Sequence, residues 1–216
     1  MLRGIVFDLD GTLLNSIPIL SRLAGRLMKE ELGIPVEMGE MSYKETSGMS
    51  FVEQLKKIYF DVYGSELTQK KAEQLNKIFQ ARVDRNLKKF KLFPDVKRNL
   101  PILSEKFHLF ISTSTPQRRL NKILELNGIK RYFKAALGLE RGFEKMKHLK
   151  FIEDVFGIKK DELIFVGDTP YDYEVGRRNE VLTILRCGTF PKSELLKLTI
   201  FVIKSLDELV EVVEKF

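Results

Sequence analysis

The sequence predicts an α/β protein in which helices cover both faces of a parallel β-sheet. From about residue 95 onward, short apolar segments alternate with segments of helical spacing. The short segments are rich in Val, Ile and Phe and are apolar throughout, as expected for strands buried on both faces. Residues 16–90 instead contain helical patterns and no convincing strand. We therefore expect a core formed by residues 1–15 and 91–216, with a helical insert at 16–90 after the first strand.

The first strand and the insert are predicted from their apolar spacing. Four buried-type residues precede Asp8 and indicate a strand over 5–9. Helical periodicity continues after it, and Gly33 and Gly64 are the natural ends of two of these helices. The helices of the insert are predicted over 17–32, 51–63 and 69–87, and residues 34–50 are predicted to be irregular.

The remainder of the chain alternates strand and helix. Strands are predicted within 107–117, 134–142, 162–172, 181–186 and 199–203. Helices are predicted over 95–106, 118–127, 145–156, 175–178 and 205–216. Pro101 should either bend the first of these helices or start a second one. Ser205 and Glu208 have the spacing of a capping box for the last helix.

The composition is that of a soluble globular protein, with 44% hydrophobic and 31% charged residues. No apolar run approaches the roughly 20 residues that a membrane-spanning helix needs. The apolar run near the N-terminus is too short for a signal peptide. We therefore expect a cytoplasmic protein with no membrane partner.

The cysteine and histidine content restricts the kind of metal site. Cys187 is the single cysteine, and the two histidines are His108 and His148. These numbers exclude a Cys-based zinc site, an intramolecular disulfide and a His-rich site. Any metal should be a hard, oxygen-ligated cation, and Mg²⁺ is the first choice.

The net charge of +7 favours anionic ligands, but it does not predict a nucleic-acid surface. The lysines are scattered and mixed with acidic residues, as on an ordinary solvated surface. We expect no nucleic-acid partner.

Polar residues follow three of the predicted strands. The strand ends read "FDLDGT", "FISTST" and "FVGDTPYD". An Asp-x-Asp-Gly sequence is also common in solvated turns. Ligands, however, bind at the carboxyl ends of parallel strands, so three such endings predict one shared site. The carboxylates that could surround a hard divalent cation there are Asp8, Asp10, Asp168 and Asp172. Thr113 and Ser114 offer hydroxyl and N–H donors to phosphate oxygens.

These motifs, in this order, resemble the haloacid dehalogenase-like hydrolases. The resemblance rests on "DLDGTLL", the strand ending at Thr113, a following lysine and "GDTPYD", and it spans nearly the whole chain. It is nearest to the phosphatase branch with a helical cap, of the phosphoglycolate phosphatase and β-phosphoglucomutase type. It implies a Rossmann-like parallel-sheet core and a cap at residues 16–90 that closes over the site and sets specificity.

The resemblance also implies residue roles. Asp8 would be the nucleophile that forms an aspartyl-phosphate. Asp10 would be the general acid–base. Thr113 would hold a phosphoryl oxygen, with Ser114 assisting.

The metal site implied by the resemblance binds Mg²⁺. Asp8, the backbone carbonyl of Asp10 and Asp168 would be ligands, and Asp172 would orient them from a second layer. Dehalogenase members of the family lack an acid at the position of Asp10, so its presence favours phosphate chemistry.

A lysine should complete the phosphate site, and three lysines compete for this role. Many relatives carry Lys-Pro at the start of the helix before the last motif, whereas this helix has no proline. Lys145 stands at the predicted helix start and is the first choice. Lys147 is the second choice and Lys150 the third.

The sequence therefore predicts a Mg²⁺-dependent phosphatase that acts on a small phosphorylated metabolite. A phosphomutase with the same residues is the close alternative, and a non-catalytic phosphate-binding scaffold is a more distant one. We expect a monomer or a homodimer.

Overall fold

A computed structural model describes residues 1–140 and 142–214 of the chain. The described residues contain one six-stranded sheet, in which every neighbouring pair of strands is parallel. The strand order is β3-β2-β1-β4-β5-β6. The strands are β1 (Gly4–Phe7), β2 (His108–Pro116), β3 (Phe133–Leu139), β4 (Leu163–Gly167), β5 (Leu182–Arg186) and β6 (Val202–Ile203). This confirms the predicted fold class.

The chain divides into two compact units. One contains the sheet and consists of Met1–Asn15 and the described residues from Lys91 onward. Its helices are α5 (Pro94–Lys106), α6 (Gln117–Asn127), α7 (Lys145–Phe156), α8 (Pro170–Arg178), α9 (Lys192–Leu195) and α10 (Leu206–Val213). Part of its core lies between the sheet and α7, where Val6, Phe110 and Phe165 pack with Leu149 and Ile152.

The other unit is Ser16–Phe90, all of which is described. Its regular structure is entirely helical: α1 (Ile17–Leu32), α2 (Val36–Glu45), α3 (Phe51–Tyr63), α4 (Gln69–Asn86) and a 3₁₀ turn at Leu87–Lys89. Aromatic side chains fill its interior, where the rings of Phe51 and Phe79 stack with centroids 3.8 Å apart and Tyr43 packs against both.

Helix α2 lies in a region that was predicted to be irregular. Its interior contains glycine and serine, so its intrinsic helix propensity is low. Close packing on α1 explains why it forms: a Cβ on Gly39 would lie 2.9 Å from Cα of Gly25, and a Cβ on Gly25 would lie 2.6 Å from the carbonyl oxygen of Val36. The two glycines allow a helix contact that local periodicity does not reveal.

The C-terminal elements also differ in part from the prediction. The capping box at Ser205 is wrong: its side chain makes no cap hydrogen bond, and Glu208 accepts from the backbone N–H of Lys204 at 3.0 Å. Helix α9 was not predicted, and at four residues it is too short to show a period. The last two residues of the predicted closing helix lie outside the described residues.

Among the described residues, no helix is both long and apolar enough to cross a membrane.

A buried ion pair joins four parts of the sheet-containing unit. Arg186, at the end of β5, donates to the two carboxylate oxygens of Asp95 at 2.8 and 3.1 Å and to the carbonyl of Thr12 at 3.2 Å. Its guanidinium lies 4.0 Å from the ring centroid of Phe93. Asp95 also accepts from the backbone N–H of Leu206 at 2.8 Å. The pair therefore connects β5, α5 and α10 to the turn that follows β1.

Replacing Arg186 by Met should destabilise the protein strongly. Methionine keeps much of the buried volume but leaves the Asp95 carboxylate without its counter-charge, which typically costs roughly 3–5 kcal/mol. The free energy of unfolding in urea measures this loss. Arg98→Met is the matched control, because the Arg98–Asp207 pair is exposed to solvent and should contribute little. Equal losses in both variants would contradict the role of Arg186.

Candidate active site

The sheet register brings the three polar strand ends together. Phe7 of β1 pairs with Ile111 of β2 and with Val166 of β4. Because the strands are parallel, Asp8 comes next to the carboxyl ends of β2 and β4. The site therefore forms at the central strand, where the strand order turns from β2 on one side to β4 on the other.

Lys145 lies between two of the predicted carboxylates. It is the first residue of α7, and its ammonium group donates to Asp8 Oδ1 and, at 2.5 Å, to Asp172 Oδ1. All three side chains are buried, and the ammonium lies 5.6 Å from the ring centroid of Phe165 on β4. The lysine is thus a buried cation shared by two aspartates.

The other two candidate lysines lie on the surface. Lys147 donates to the carbonyl of Gly142 at 2.8 Å and pairs with Glu144 at 3.5 Å. Lys150 pairs with acidic neighbours on its own helix, Glu153 and Asp154. The structure brings Lys145 to the aspartates and leaves Lys147 and Lys150 in solvent.

Three buried carboxylates converge beside this lysine. Asp8, Asp168 and Asp172 each offer an oxygen within 4.8 Å of the others. Asp168 accepts from the hydroxyl of Thr12 at 3.0 Å and from the hydroxyl of Thr189. The oxygens could therefore serve a common cation, with threonine hydroxyls orienting Asp168.

Asp172 is held by its own turn. Its Oδ2 accepts from the backbone N–H groups of Asp168 and Thr169, at 3.2 and 3.0 Å, and from the Thr169 hydroxyl at 2.6 Å. Thr169 is the N-cap of α8 and forms a reciprocal capping box with Asp172. Since Oδ1 is bound to Lys145, both oxygens of Asp172 already have donors. These contacts fix the orientation of the Asp172 carboxylate within the cluster.

The ionisation of the cluster follows from its burial. Burial raises the pKa of Asp8 to about 7, although the charge of Lys145 opposes the shift. Burial also raises the pKa of Asp168 well above its usual value, and the charges of Asp8 and Asp172 add to this. Burial alone would lower the pKa of Lys145, but Asp172 and Asp8 hold it above its ordinary value. One lysine charge faces three carboxylates, so this site lacks positive charge.

The chemistry of the site fits Mg²⁺. All converging ligands are carboxylate oxygens, which are the donors that this hard cation prefers. The excess of negative charge in a buried site gives a physical reason for a divalent cation there. Asp8, Asp168 and Asp172 are the side chains that could hold it.

Asp10 lies next to the end of β2 and not in the three-carboxylate cluster. The hydroxyl of Thr115 donates to Asp10 Oδ2 at 2.7 Å. Thr113 is buried, and its hydroxyl oxygen accepts from the backbone N–H of Thr115 at 3.1 Å. Ser114, between Thr113 and Thr115 in the sequence, is half-buried. The predicted acid–base residue and the predicted phosphate-binding residues are thus adjacent.

The turn after Asp10 requires glycine. Gly11 has φ +88°, a conformation that other residues adopt only at a cost. A Cβ at this position would also collide with the carboxylate of Asp168 and the hydroxyl of Thr189. Gly11 therefore allows the backbone to pass close to the carboxylates.

His148 fixes α7 against β2 behind the site. It is fully buried, and its Nδ1 lies 3.0 Å from the hydroxyl of Ser112. Burial, together with the charge of Lys145, lowers its pKa to about 4, so it is neutral near pH 7. The structure thus gives this histidine a structural position between α7 and β2.

Several site residues were not anticipated from the sequence. Thr115 belongs to the same hydroxyl-rich strand end as Thr113, so the sequence could have indicated it as a site residue. Thr12 follows directly on the Asp-x-Asp-Gly motif. Thr189 lies in the loop after β5 and has no motif around it, so only the tertiary structure shows that it contacts Asp168.

Comparisons of this chain with known proteins agree on one family. Residues 5–185 match the family model of the haloacid dehalogenase-like hydrolases. A phosphoglycolate phosphatase from Vibrio parahaemolyticus is 29% identical over 225 residues, covering 98% of this chain and 96% of that protein. A structure from Clostridium acetobutylicum, described as a predicted phosphatase, superposes with a TM-score of 0.86 at 22% identity and full coverage of both chains. A Bacillus subtilis structure solved bound to magnesium has a TM-score of 0.64 at 20% identity, with 99% of both chains covered.

Replacing Asp8 by Asn should stabilise the metal-free protein, and more so at pH 8 than at pH 5. The pKa of Asp8 is raised from 3.8 to about 7, so the folded protein holds this proton more tightly than the unfolded chain. The resulting stability is complete below about pH 4 and is lost as the pH rises through about 7. Asparagine has no proton to lose, and Lys145 keeps Asp172 as a partner.

Urea unfolding with EDTA between pH 5 and pH 8 measures this effect. The difference between variant and wild type should grow with pH, to the order of a few kcal/mol. Asp207→Asn is the control: Asn99 and Arg98 lower the pKa of Asp207, so this carboxylate stays ionised in both states over this range and its loss should not change with pH. A pH-independent difference for Asp8→Asn would contradict the raised pKa.

Proposed function

The chain belongs to the haloacid dehalogenase-like hydrolases and is a phosphoric monoester hydrolase, and we propose that it hydrolyses a small phosphorylated metabolite with Mg²⁺ through an aspartyl-phosphate intermediate. The observation that carries this proposal is the position of Asp8. It directly follows β1, is buried, and is held beside Lys145 and Asp168. Such a carboxylate can act as a nucleophile toward a phosphoryl group.

The first chemical step transfers the phosphoryl group to the enzyme. A carboxylate oxygen of Asp8 forms a bond to phosphorus while the bond between phosphorus and the leaving oxygen breaks. Asp10 donates its proton to that leaving oxygen, so the product departs as a neutral alcohol. Lys145 holds Asp8 in place and offsets charge on the transferring group. Thr113 and Ser114 donate hydrogen bonds to the phosphoryl oxygens.

The second step releases phosphate. Asp10, now a carboxylate, takes a proton from water as the water oxygen attacks phosphorus. The bond between phosphorus and the Asp8 oxygen breaks, which restores the Asp8 carboxylate and frees inorganic phosphate. Asp10 ends the cycle protonated, as it began.

The metal would be held by Asp8, Asp168 and the backbone carbonyl of Asp10, with Asp172 orienting this set. When bound, Mg²⁺ would supply positive charge that offsets the substrate phosphate beside Asp8. The charge excess of the cluster supports this assignment. The magnesium-bound Bacillus subtilis structure of similar fold supports it further.

Phosphoglycolate is the first substrate to test, because the curated relatives are named phosphoglycolate phosphatases. A phosphomutase of the β-phosphoglucomutase type would use the same residues and would yield an isomerised sugar phosphate instead of free phosphate. The roles of residues 16–90 as a cap, a cytoplasmic location and a monomeric or homodimeric state stay predictions of the sequence.

A phosphate-release screen tests the proposed reaction. We expect release from p-nitrophenyl phosphate and from at least one of phosphoglycolate, sugar phosphates, nucleotides and pyridoxal phosphate, with Mg²⁺ but not with EDTA. Asp8→Asn and Asp10→Asn should each abolish turnover while the fold is retained. Near-normal turnover in Asp8→Asn would rule out the covalent mechanism.

Lys145→Ala should abolish turnover, whereas Lys147→Ala should retain it. Lys145 is buried between Asp8 and Asp172, and Lys147 points into solvent two residues away. The two variants remove the same charge from the same helix turn, so Lys147→Ala is the matched control. Full activity in Lys145→Ala together with an inactive Lys147→Ala would reverse the assignment.

A further inference from the structure

We propose that Thr115 is a positioning residue that holds the Asp10 carboxyl group in place to protonate the leaving alcohol. The inference rests on the proposed function, in which Asp10 is the acid–base. It starts from the hydrogen bond of the Thr115 hydroxyl to Asp10 Oδ2, at 2.7 Å. Thr115 lies in β2, whereas Asp10 lies in the turn after the neighbouring strand β1, 105 positions away in the chain. A donor at this distance fixes the rotation of the carboxyl group about its Cβ–Cγ bond.

An irregularity in the backbone of β2 directs the Thr115 side chain toward Asp10. Pairing between β2 and β3 shifts register between Ser112 and Pro116, which pair with Leu137 and Leu139. Three residues of β2 therefore stand opposite the single residue Gly138. A bulge of this kind bends a strand and redirects its side chains, and bulges are common next to active sites.

Specific contacts fix the bulge in this conformation. The N–H of Thr115 donates to the hydroxyl oxygen of Thr113 at 3.1 Å. Gln117, the first residue after β2, binds the backbone of β3: its Oε1 accepts from the N–H of Gly138 at 2.6 Å and its Nε2 donates to the carbonyl of Ala136 at 3.0 Å. A Cβ on Gly138 would lie 2.7 Å from the carbonyl oxygen of Thr115, so only glycine fits opposite the bulge. The same segment thus carries both Thr113, which is proposed to bind phosphate, and Thr115, which donates to Asp10.

The leaving group determines when this positioning matters. An alkyl phosphate would release an alkoxide, which is a poor leaving group unless Asp10 protonates it as the bond breaks. The p-nitrophenolate anion is stabilised by its ring and leaves without a proton. Removing the Thr115 hydroxyl should therefore slow the first step for an alkyl phosphate and spare it for p-nitrophenyl phosphate. A loss of structure would slow both.

Thr115→Val tests this difference, because valine keeps the shape of threonine and removes the hydroxyl. In single-turnover measurements with Mg²⁺, release of the alcohol from an alkyl phosphate should fall roughly 10- to 100-fold. Phosphoglycolate is the alkyl phosphate used, or the best alkyl ester in the screen if phosphoglycolate is not cleaved. The first-turnover release of p-nitrophenolate should change less than about 3-fold, and Thr115→Ser should restore the alkyl reaction.

Thr199→Val is the matched control for hydroxyl loss elsewhere in the sheet-containing unit, and it should leave both reactions unchanged. Equal losses with both substrates, failure of Thr115→Ser to restore the reaction, or faster alkyl cleavage in Thr115→Val would each overturn the role of Thr115. The last result would show that Thr115 holds Asp10 away from the substrate. Wild-type protein that cleaves neither substrate would overturn the proposed function together with this inference. If the wild type is active and Thr115→Val behaves otherwise than expected, only the role of Thr115 is contradicted.

Discussion

The paired contacts of Lys145 with Asp8 and Asp172 are the interaction on which the candidate site depends. Three carboxylates within 4.8 Å repel one another strongly in a buried place, and burial already penalises each charge. A buried lysine offsets part of that cost and still leaves the cluster short of positive charge. The same arrangement therefore leaves an excess of negative charge beside Asp8, which a bound cation would offset.

Threonine hydroxyls orient the carboxylates around this pair. Thr12 and Thr189 donate to Asp168, Thr169 donates to Asp172, and Thr115 donates to Asp10. A threonine side chain is short and stiff at χ1, so such donors limit the rotation of the carboxylates. The buried Arg186–Asp95 pair extends this support, because Arg186 also holds the carbonyl of Thr12 in the turn after Asp10. The site is thereby positioned by contacts that reach from β1 to β5 and α5.

Local patterns predicted the fold well where the element itself carries the signal. The central strands β1 and β4 are apolar and buried throughout, and α7 was predicted with the bounds that it has. The prediction failed where tertiary packing decides the outcome. Helix α2 forms because Gly25 and Gly39 let two helices approach closely, although its own sequence is weakly helical. Ser205 has the spacing for a capping box but makes no cap bond, because spacing alone does not fix a side-chain rotamer.

The sequence by itself determined which residues end the strands, and hence that Asp8, Thr113 and Asp168 share one edge of the sheet, because parallel strands align their carboxyl ends. Only the tertiary structure decided among the three lysines. Two residues along a helix rotate a side chain by roughly 200°, so the exact start of α7 turns Lys145 inward and Lys147 to solvent. It also decided the contacts of Thr115 and Thr189, which join residues 105 and 21 positions apart in the chain. Such contacts depend on how strands and loops pack, which no local pattern records.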